Sequence, residues 1–223
     1  MIQLRIWDWP TRIFHWALAT LVVALVITGN LGGNAMVWHF RCGYAVFSLL
    51  IFRFIWGFCG GHWSRWRQLA CTPALIRQYF KTSTPPAAFL GHNPMGSLSV
   101  IAMLALLVLQ VSTGLFSDDE ISNAGPLVSL VSESRVSLAT YWHKGFGKTI
   151  ILLLVAGHLI AVLWYFLKKK QNLTLAMLKG DKNSTMSAPS SKDGPANWLL
   201  AMVCILVSSG LVYVLINLGA NAA

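Results

Sequence analysis

Four histidines stand inside or at the ends of long apolar stretches, namely His15, His39, His143 and His158. An ionisable side chain inside a membrane helix is costly, by about 2.5 to 3.5 kcal/mol for Arg, Lys or Asp on insertion scales, so such residues are functional candidates. A lone histidine of this kind is most simply explained by a hydrogen bond to a neighbouring helix. Four histidines at matched depths instead predict metal-ligating pairs.

The spacing of these histidines predicts how they pair. His143 and His158 lie 15 residues apart on one stretch, which puts them about 60° apart around a helix and about 22 Å apart along it. His39 opens the second stretch at the surface where His143 opens the fourth, so these two can meet. His15 and His158 both lie toward the opposite surface. His15 is the nearer to that surface, so their pairing requires helix tilt or an earlier start of the first helix.

Paired imidazoles in an apolar setting indicate heme. Two imidazoles per iron suit a low-spin electron-transfer heme, because both axial positions are filled and little room is left for oxygen chemistry. The macrocycle also supplies apolar bulk for the interior of a four-helix bundle. No CxxCH segment exists, which excludes covalent c-type attachment, and Cys42, Cys59, Cys71 and Cys204 have no metal-type spacing. The pattern therefore predicts two heme b groups.

Basic residues near the histidines are candidates for contact with heme propionates, which need cations or water. They are Arg12, Arg41, Lys144 and Lys148. Arg12 is equally well explained by snorkelling to lipid headgroups. Lys148 lies more than one turn inside the fourth stretch, where it could instead contact a quinone. His62 and His92 lie beside glycines in a loop and are assigned no iron.

The elements that must position these residues are membrane helices. With 56% hydrophobic residues, 11% charged residues and a mean hydropathy of +0.61, the chain of 223 residues has too little charge to cover a soluble surface. A membrane helix needs about 20 apolar residues, and five stretches qualify, at about residues 13–28, 37–58, 97–116, 141–167 and 198–218. The first is interpreted as a retained helix rather than a secretion signal, because its apolar run is long and contains His15.

These stretches predict an all-α membrane protein, with a four-helix transmembrane bundle that holds two hemes and a fifth, C-terminal transmembrane helix. Residues 1–170 form the di-heme bundle, residues 171–197 a polar cytoplasmic linker, and residues 198–223 the accessory helix. The last helix carries neither histidine nor charge, which is typical of an anchor.

The charged loops predict the orientation. Residues 59–96 carry four basic residues and no acid, and residues 168–197 carry six lysines, whereas residues 117–140 hold four acids against one arginine. Because basic loops face the cytoplasm, we expect a multi-pass protein of the bacterial inner membrane with a cytoplasmic N-terminus. The net charge of +10 sits in loops rather than in one basic stripe, so nucleic acid is not an expected partner.

These residues resemble those of the prokaryotic cytochrome b561 family, which includes cytochrome b subunits of nickel-iron hydrogenases. The resemblance covers roughly residues 5–170. It rests on Trp7-Asp8-Trp9-Pro10 followed by Arg12 and Phe14-His15-Trp16, on His39 with Gly43-Tyr44, on Arg53 with Trp56-Gly57, on Gly91-His92-Asn93-Pro94, and on His143-Lys144 followed by His158. It implies two b hemes, ligands in helices one, two and four, and electron exchange between membrane quinone and a partner redox protein. The fifth helix departs from the basic four-helix members.

Three functions remain open on the sequence. The first is a di-heme cytochrome that transfers electrons between the quinone pool and a periplasmic partner, either a c-type cytochrome or an oxidoreductase subunit, with no catalytic residue of its own. The second is a superoxide oxidase that passes electrons from superoxide to quinone, with Arg41, Lys144 and Lys148 attracting the anion. These residues would serve propionates equally well. The third is a heme-free channel, scaffold or transporter, which requires four purely structural histidines.

Overall fold

Five long helices dominate the computed structural model, which describes residues 2–69, 71–81, 89–184 and 186–220. The segments long and apolar enough to cross a membrane are Trp9–Leu31, Gly33–Cys59, Pro94–Leu115, Glu133–Leu167 and Pro195–Gly219. They correspond to the five predicted stretches, so the all-α membrane fold with a fifth C-terminal helix is confirmed.

The helices have the following bounds in chain order. They are α1 (Trp9–Leu31), α2 (Met36–Cys59), α3 (Pro73–Lys81), α4 (Pro94–Leu115), α5 (Glu133–Tyr141), α6 (Lys148–Leu167), α7 (Leu173–Lys179) and α8 (Pro195–Ala220). A π-helical turn, Trp142–Gly147, joins α5 to α6. The fourth span is therefore one continuous helical run with a local widening at His143.

The helix α1 begins earlier than the predicted residue 13 because Asp8 caps it. One carboxylate oxygen of Asp8 accepts a hydrogen bond from the main-chain N–H of Thr11 at 2.9 Å, as an N-cap side chain does. Pro10 suits the first turn, where no intrahelical N–H bond is lost. The early start meets the condition that the sequence set for pairing His15 with His158.

The Asp8 carboxylate also ties α1 to the end of α2. It is fully buried and accepts hydrogen bonds from the main-chain N–H of Gly61 and the hydroxyl of Ser64, both at 2.9 Å, and from the indole of Trp56 at 3.3 Å. A Cβ atom on Gly61 would lie 2.2 Å from Asp8 Oδ2. The cost of burying this carboxylate is therefore offset by a complete set of donors.

Residue contacts divide the chain into two units. The first unit takes in the N-terminal residues through His15, Arg53–Ala102 and Val155–Cys204. The second takes in Trp16–Phe52, Met103–Leu154 and the end of α8 from Ile205. Each unit contains two of the four histidines that the sequence singles out.

A two-stranded antiparallel sheet in the first unit joins the N-terminal residues to part of the predicted polar linker. Strand β1 (Ile2–Arg5) pairs with β2 (Asp181–Ser184), and Arg5 forms ion pairs with Asp181 and Asp193, both at 2.5 Å. The hydrogen bond to Asp181 raises the pKa of Arg5. Polar composition gave no sign of a strand whose partner lies 176 residues away. Residue 185 of this segment, residues 82–88 of the basic loop and residues 221–223 of the predicted last segment lie outside the described residues.

The fifth long helix, α8, buries a face of small side chains. Its buried positions include Ala201, Cys204, Ser208 and Val212, which recur every three or four residues and so share one side of a helix. In the first unit, the thiol sulfurs of Cys59 and Cys204 lie 4.0 Å apart. This helix is therefore packed against the protein on one side and presents large apolar side chains on the other.

Candidate functional site

His39 and His143 meet in the second unit. Their ring centres are 6.1 Å apart and their ring planes cross at 89°. His39 lies in the first turn of α2, and His143 lies in the π-helical turn between α5 and α6. Turns of this rare type occur frequently at functional sites.

Both rings hold the same tautomer. The Nδ1 atom of His143 lies 2.8 Å from the main-chain oxygen of Gln110, and Nδ1 of His39 lies 3.1 Å from the main-chain oxygen of Leu25. A carbonyl oxygen only accepts, so each Nδ1 carries the proton and donates. Each Nε2 therefore keeps a lone pair, as in metal-ligating histidines that donate their other N–H to a carbonyl.

The ring separation fits a metal between the two imidazoles. A metal–imidazole bond is about 2 Å long and the ligating nitrogen lies about 1 Å from the ring centre, so bonds on opposite sides of one metal put the ring centres about 6 Å apart. Within the described residues, no group of three or more His, Cys, Asp or Glu side chains is placed to hold an ion. Two ligands suffice only where a macrocycle supplies the remaining four, as in heme.

A cavity of about 450 Å³ in the second unit contains this pair. Three glycines on its wall make room. A Cβ atom at Gly29 would lie 3.0 Å from Cε1 of His39, and one at Gly114 would lie 2.7 Å from Cε1 of His143, whereas one at Gly43 would enter open space. The rest of the wall is mainly apolar, with Val22, Leu107 and Ile151 among its side chains. An apolar wall with open space beside paired imidazoles fits a flat macrocycle.

Charges of both signs line this cavity. Lys144 and Lys148 are on its wall together with Asp118 and Asp119. The pKa of Asp119 is lowered, chiefly by the hydrogen bond from the Asn123 side chain and then by three main-chain N–H groups, so this carboxylate is ionised at neutral pH. The wall therefore offers cations for propionates without a one-sided positive field.

Arg41 is placed differently from the two lysines. Its guanidinium lies 5.1 Å from the ring centre of Trp38, and the residue is exposed. Stacking of this kind is an ordinary role for an arginine near a membrane surface. The structure therefore puts Lys144 and Lys148 beside the histidine pair and gives Arg41 an aromatic partner of its own.

His15 and His158 meet in the first unit. Their ring centres are 6.4 Å apart and the planes cross at 54°, so this pair also has the spacing of two imidazoles on one metal. Arg12 lies one turn before His15. Its Nε donates to the main-chain oxygen of Met177 at 3.3 Å, and its guanidinium lies 4.0 Å from the ring centre of Trp9.

His92, in the loop before α4, packs against Trp7 with ring centres 4.7 Å apart. Burial, together with the nearby charges of Arg53 and Lys182, lowers the pKa of His92 to about 3. Burial likewise lowers the pKa of Lys182 to about 8. The imidazole of His92 is therefore neutral at physiological pH and serves packing in this loop.

Sequence reasoning missed the partners of the histidines. Gln110 donates from its side-chain amide to the main-chain oxygen of His143 at 2.8 Å, and the main-chain oxygens of Gln110 and Leu25 fix the tautomers. The third apolar stretch, residues 97–116, carries no charge, and a search for ionisable residues overlooks an uncharged amide. The single side-chain amide in this uncharged helix is the signal that could have revealed this contact.

The family model and the relatives that match this chain agree on one family of proteins. The family model for prokaryotic cytochrome b561 matches residues 6–180. The chain is 22% identical to the probable Ni/Fe-hydrogenase B-type cytochrome subunit of Bradyrhizobium diazoefficiens, over 79% of this chain and 85% of the relative. It is 24% identical to the protein of the same description from Rhizobium leguminosarum bv. viciae, over 79% and 87%.

A third relative covers more of both chains. It is the probable Ni/Fe-hydrogenase 1 B-type cytochrome subunit of Escherichia coli strain K12, which is 22% identical over 84% of this chain and 94% of its own length. No solved structure matches the chain at a significant level.

Proposed function

This chain belongs to the prokaryotic cytochrome b561 family, and we propose that it is a di-heme cytochrome that passes electrons between the quinone pool and a periplasmic redox partner. Family membership makes it a multi-pass membrane protein and a b-type cytochrome of electron transfer. The observation that carries the proposal is the presence of two histidine pairs with ring centres 6.1 and 6.4 Å apart.

In this proposal the four histidines would hold two hemes. His39 and His143 hold the outer heme, and His15 and His158 hold the inner one. Heme iron supplies one-electron chemistry between its ferrous and ferric states. With two imidazoles at each site, the hemes would be suited to electron transfer rather than to oxygen binding. Lys144 and Lys148 neutralise propionates at the outer site, and Arg12 and Arg41 are candidates at their own surfaces.

We propose an oxidoreductase of the hydrogenase type as the periplasmic partner. The three relatives above are described as hydrogenase cytochrome subunits, which favours an oxidoreductase over a free c-type cytochrome. The superoxide alternative gains nothing from those descriptions. It is also weakened by Asp118 and Asp119 on the wall of the outer cavity, because carboxylates offset the attraction of the lysines for an anion.

The heme content of the purified protein tests this proposal directly. Reduction with dithionite is expected to give a sharp α band of b-type heme, and pyridine hemochrome analysis should give two hemes per chain. EPR of the oxidised protein should show only low-spin iron, because each iron has two imidazoles. A chain purified without heme, or with high-spin iron in both sites, would contradict the proposal.

Orientation is a second expectation of this proposal, because basic loops remain cytoplasmic. Alkaline phosphatase fused after Ala223 is expected to be active, and the same enzyme fused after Lys170 is expected to be inactive. Both fusions are compared at equal expression. Activity at Lys170 and none at Ala223 would place the N-terminus in the periplasm and overturn the proposed topology.

A further inference from the structure

Gln110 and His143 are joined twice in the second unit. The side-chain amide of Gln110 donates to the main-chain oxygen of His143 at 2.8 Å. In return, Nδ1 of His143 donates to the main-chain oxygen of Gln110 at 2.8 Å. Each side chain thus bonds the main chain of the other residue. The second bond survives any substitution at residue 110, whereas the first depends on the glutamine side chain.

The bond from the Gln110 amide reaches into the π-helical turn Trp142–Gly147. A π turn contains one residue more than an α turn, and such turns are rare because their backbone is less favourable. If the turn relaxed to an α-helix, one residue would have to be absorbed elsewhere and His143 would rotate by about 100° relative to α6. A donor on α4 that bonds a carbonyl of the turn opposes this relaxation.

Gly147, the last residue of the turn, makes the approach of Gln110 feasible. A Cβ atom there would lie 2.2 Å from Oε1 of Gln110 and 2.5 Å from Nε1 of Trp142. Both atoms are buried and lack a hydrogen-bond partner within the described part of the chain. The Gln110 amide therefore occupies the space that a side chain at residue 147 would fill.

We propose that Gln110 is a positioning residue for His143, which holds the π-helical turn so that the imidazole plane of His143 stands at 89° to that of His39. This inference rests on the proposed function, because it assigns the orientation of one axial ligand of the outer heme. Partners of metal ligands are known to be worth about 10- to 100-fold in metal affinity or activity. Gln110 acts here through the ligand and does not touch the iron.

The orientation has a spectroscopic signature. In a low-spin ferric heme, perpendicular axial imidazoles leave two iron d orbitals nearly equal in energy, which gives a strongly anisotropic EPR signal. Imidazole planes closer to parallel separate these orbitals and reduce the anisotropy. The EPR signal of the outer heme therefore reports the angle that Gln110 is proposed to hold, which heme content alone does not.

The test uses the full chain with its hemes and the variant Gln110→Met, which keeps the side-chain length and removes the donor. We expect the outer EPR signal to lose anisotropy, the midpoint potential of the outer heme to shift, and the outer heme to be lost about 10-fold more readily. The signal and potential of the inner heme should not move. Gly147→Ala should produce the same changes without any substitution at residue 110, because its new methyl group displaces the Gln110 amide.

Thr113→Val is the matched control. The hydroxyl of Thr113 bonds only the preceding turn of its own helix in the described contacts, at Leu109 O and Gln110 O, so both hemes should keep their unaltered signals. A Gln110→Met protein with two hemes and an unmoved outer EPR signal would overturn the inference and leave the proposed function intact. If Gln110→Met does not fold, an unmoved signal in Gly147→Ala overturns it equally. An unaltered protein without heme refutes the proposed function itself.

Discussion

The variant His143→Ala is expected to bind one heme b per chain where the unaltered protein binds two. In the proposed function, His39 and His143 would together hold the heme at that site, and removal of His143 leaves a single imidazole in a cavity with a mainly apolar wall. His15 and His158 form a separate pair in the first unit, with ring centres 6.4 Å apart, so their heme should be retained. Pyridine hemochrome analysis and EPR of the purified variant measure this change.

His39→Ala is expected to remove the same heme, because His39 and His143 form one pair. The two variants should therefore leave identical residual spectra. His62→Ala is the matched control, since His62 lies in a loop and belongs to neither pair, and both hemes should remain. Two low-spin hemes in either His39→Ala or His143→Ala, or residual spectra that differ between them, would refute this pairing.

Electron transfer across the membrane is expected to stop in His158→Ala. His143 and His158 lie 15 residues apart on one helical run, a length of about 22 Å, so the proposed function requires both sites for passage between the two surfaces. The variant should exchange electrons with an outer donor at the unaltered rate. Transfer from that donor to an acceptor enclosed in proteoliposomes should fall to the rate of protein-free liposomes.

The control for His158→Ala is the unaltered protein, in proteoliposomes with the same protein content and the same orientation of the protein in the membrane. Unaltered protein and variant are reconstituted at equal amounts, with quinol or reduced c-type cytochrome outside and a membrane-impermeant acceptor inside. Transfer by the one-heme variant at the unaltered rate would refute the two-site relay. An unaltered protein that exchanges electrons with neither quinol, c-type cytochrome nor hydrogenase would refute the proposed partners.

The histidine pairs were accessible from sequence because depth in a membrane can be counted in residues. His39 and His143 each lie near the start of an apolar stretch, and the structure places their ring centres 6.1 Å apart. His15 and His158 needed an earlier start of helix one, and the Asp8 cap supplies it. Residue counting thus captured which ends of which helices come together.

Other features of the site depend on geometry that apolar periodicity does not encode. The π-helical turn around His143 contains the same residue types as an α-helix, so the pattern gives no sign of it. The contact between Gln110 and His143 joins positions 33 residues apart and involves main-chain atoms, which every residue carries. The sheet between β1 and β2 was hidden for another reason: β1 alternates apolar and polar residues over only four positions, and its partner β2 is entirely polar.

That sheet has a consequence for the order in which the protein is made. Residues 2–5 leave the ribosome well before their partners, residues 181–184, which are synthesised only after the first four spans. β1 is therefore unpaired for most of translation, and its edge is open throughout that time. Closure of the sheet can occur only once the spans that carry all four histidines have been made, so fixation of the N-terminal segment is a late event in biogenesis.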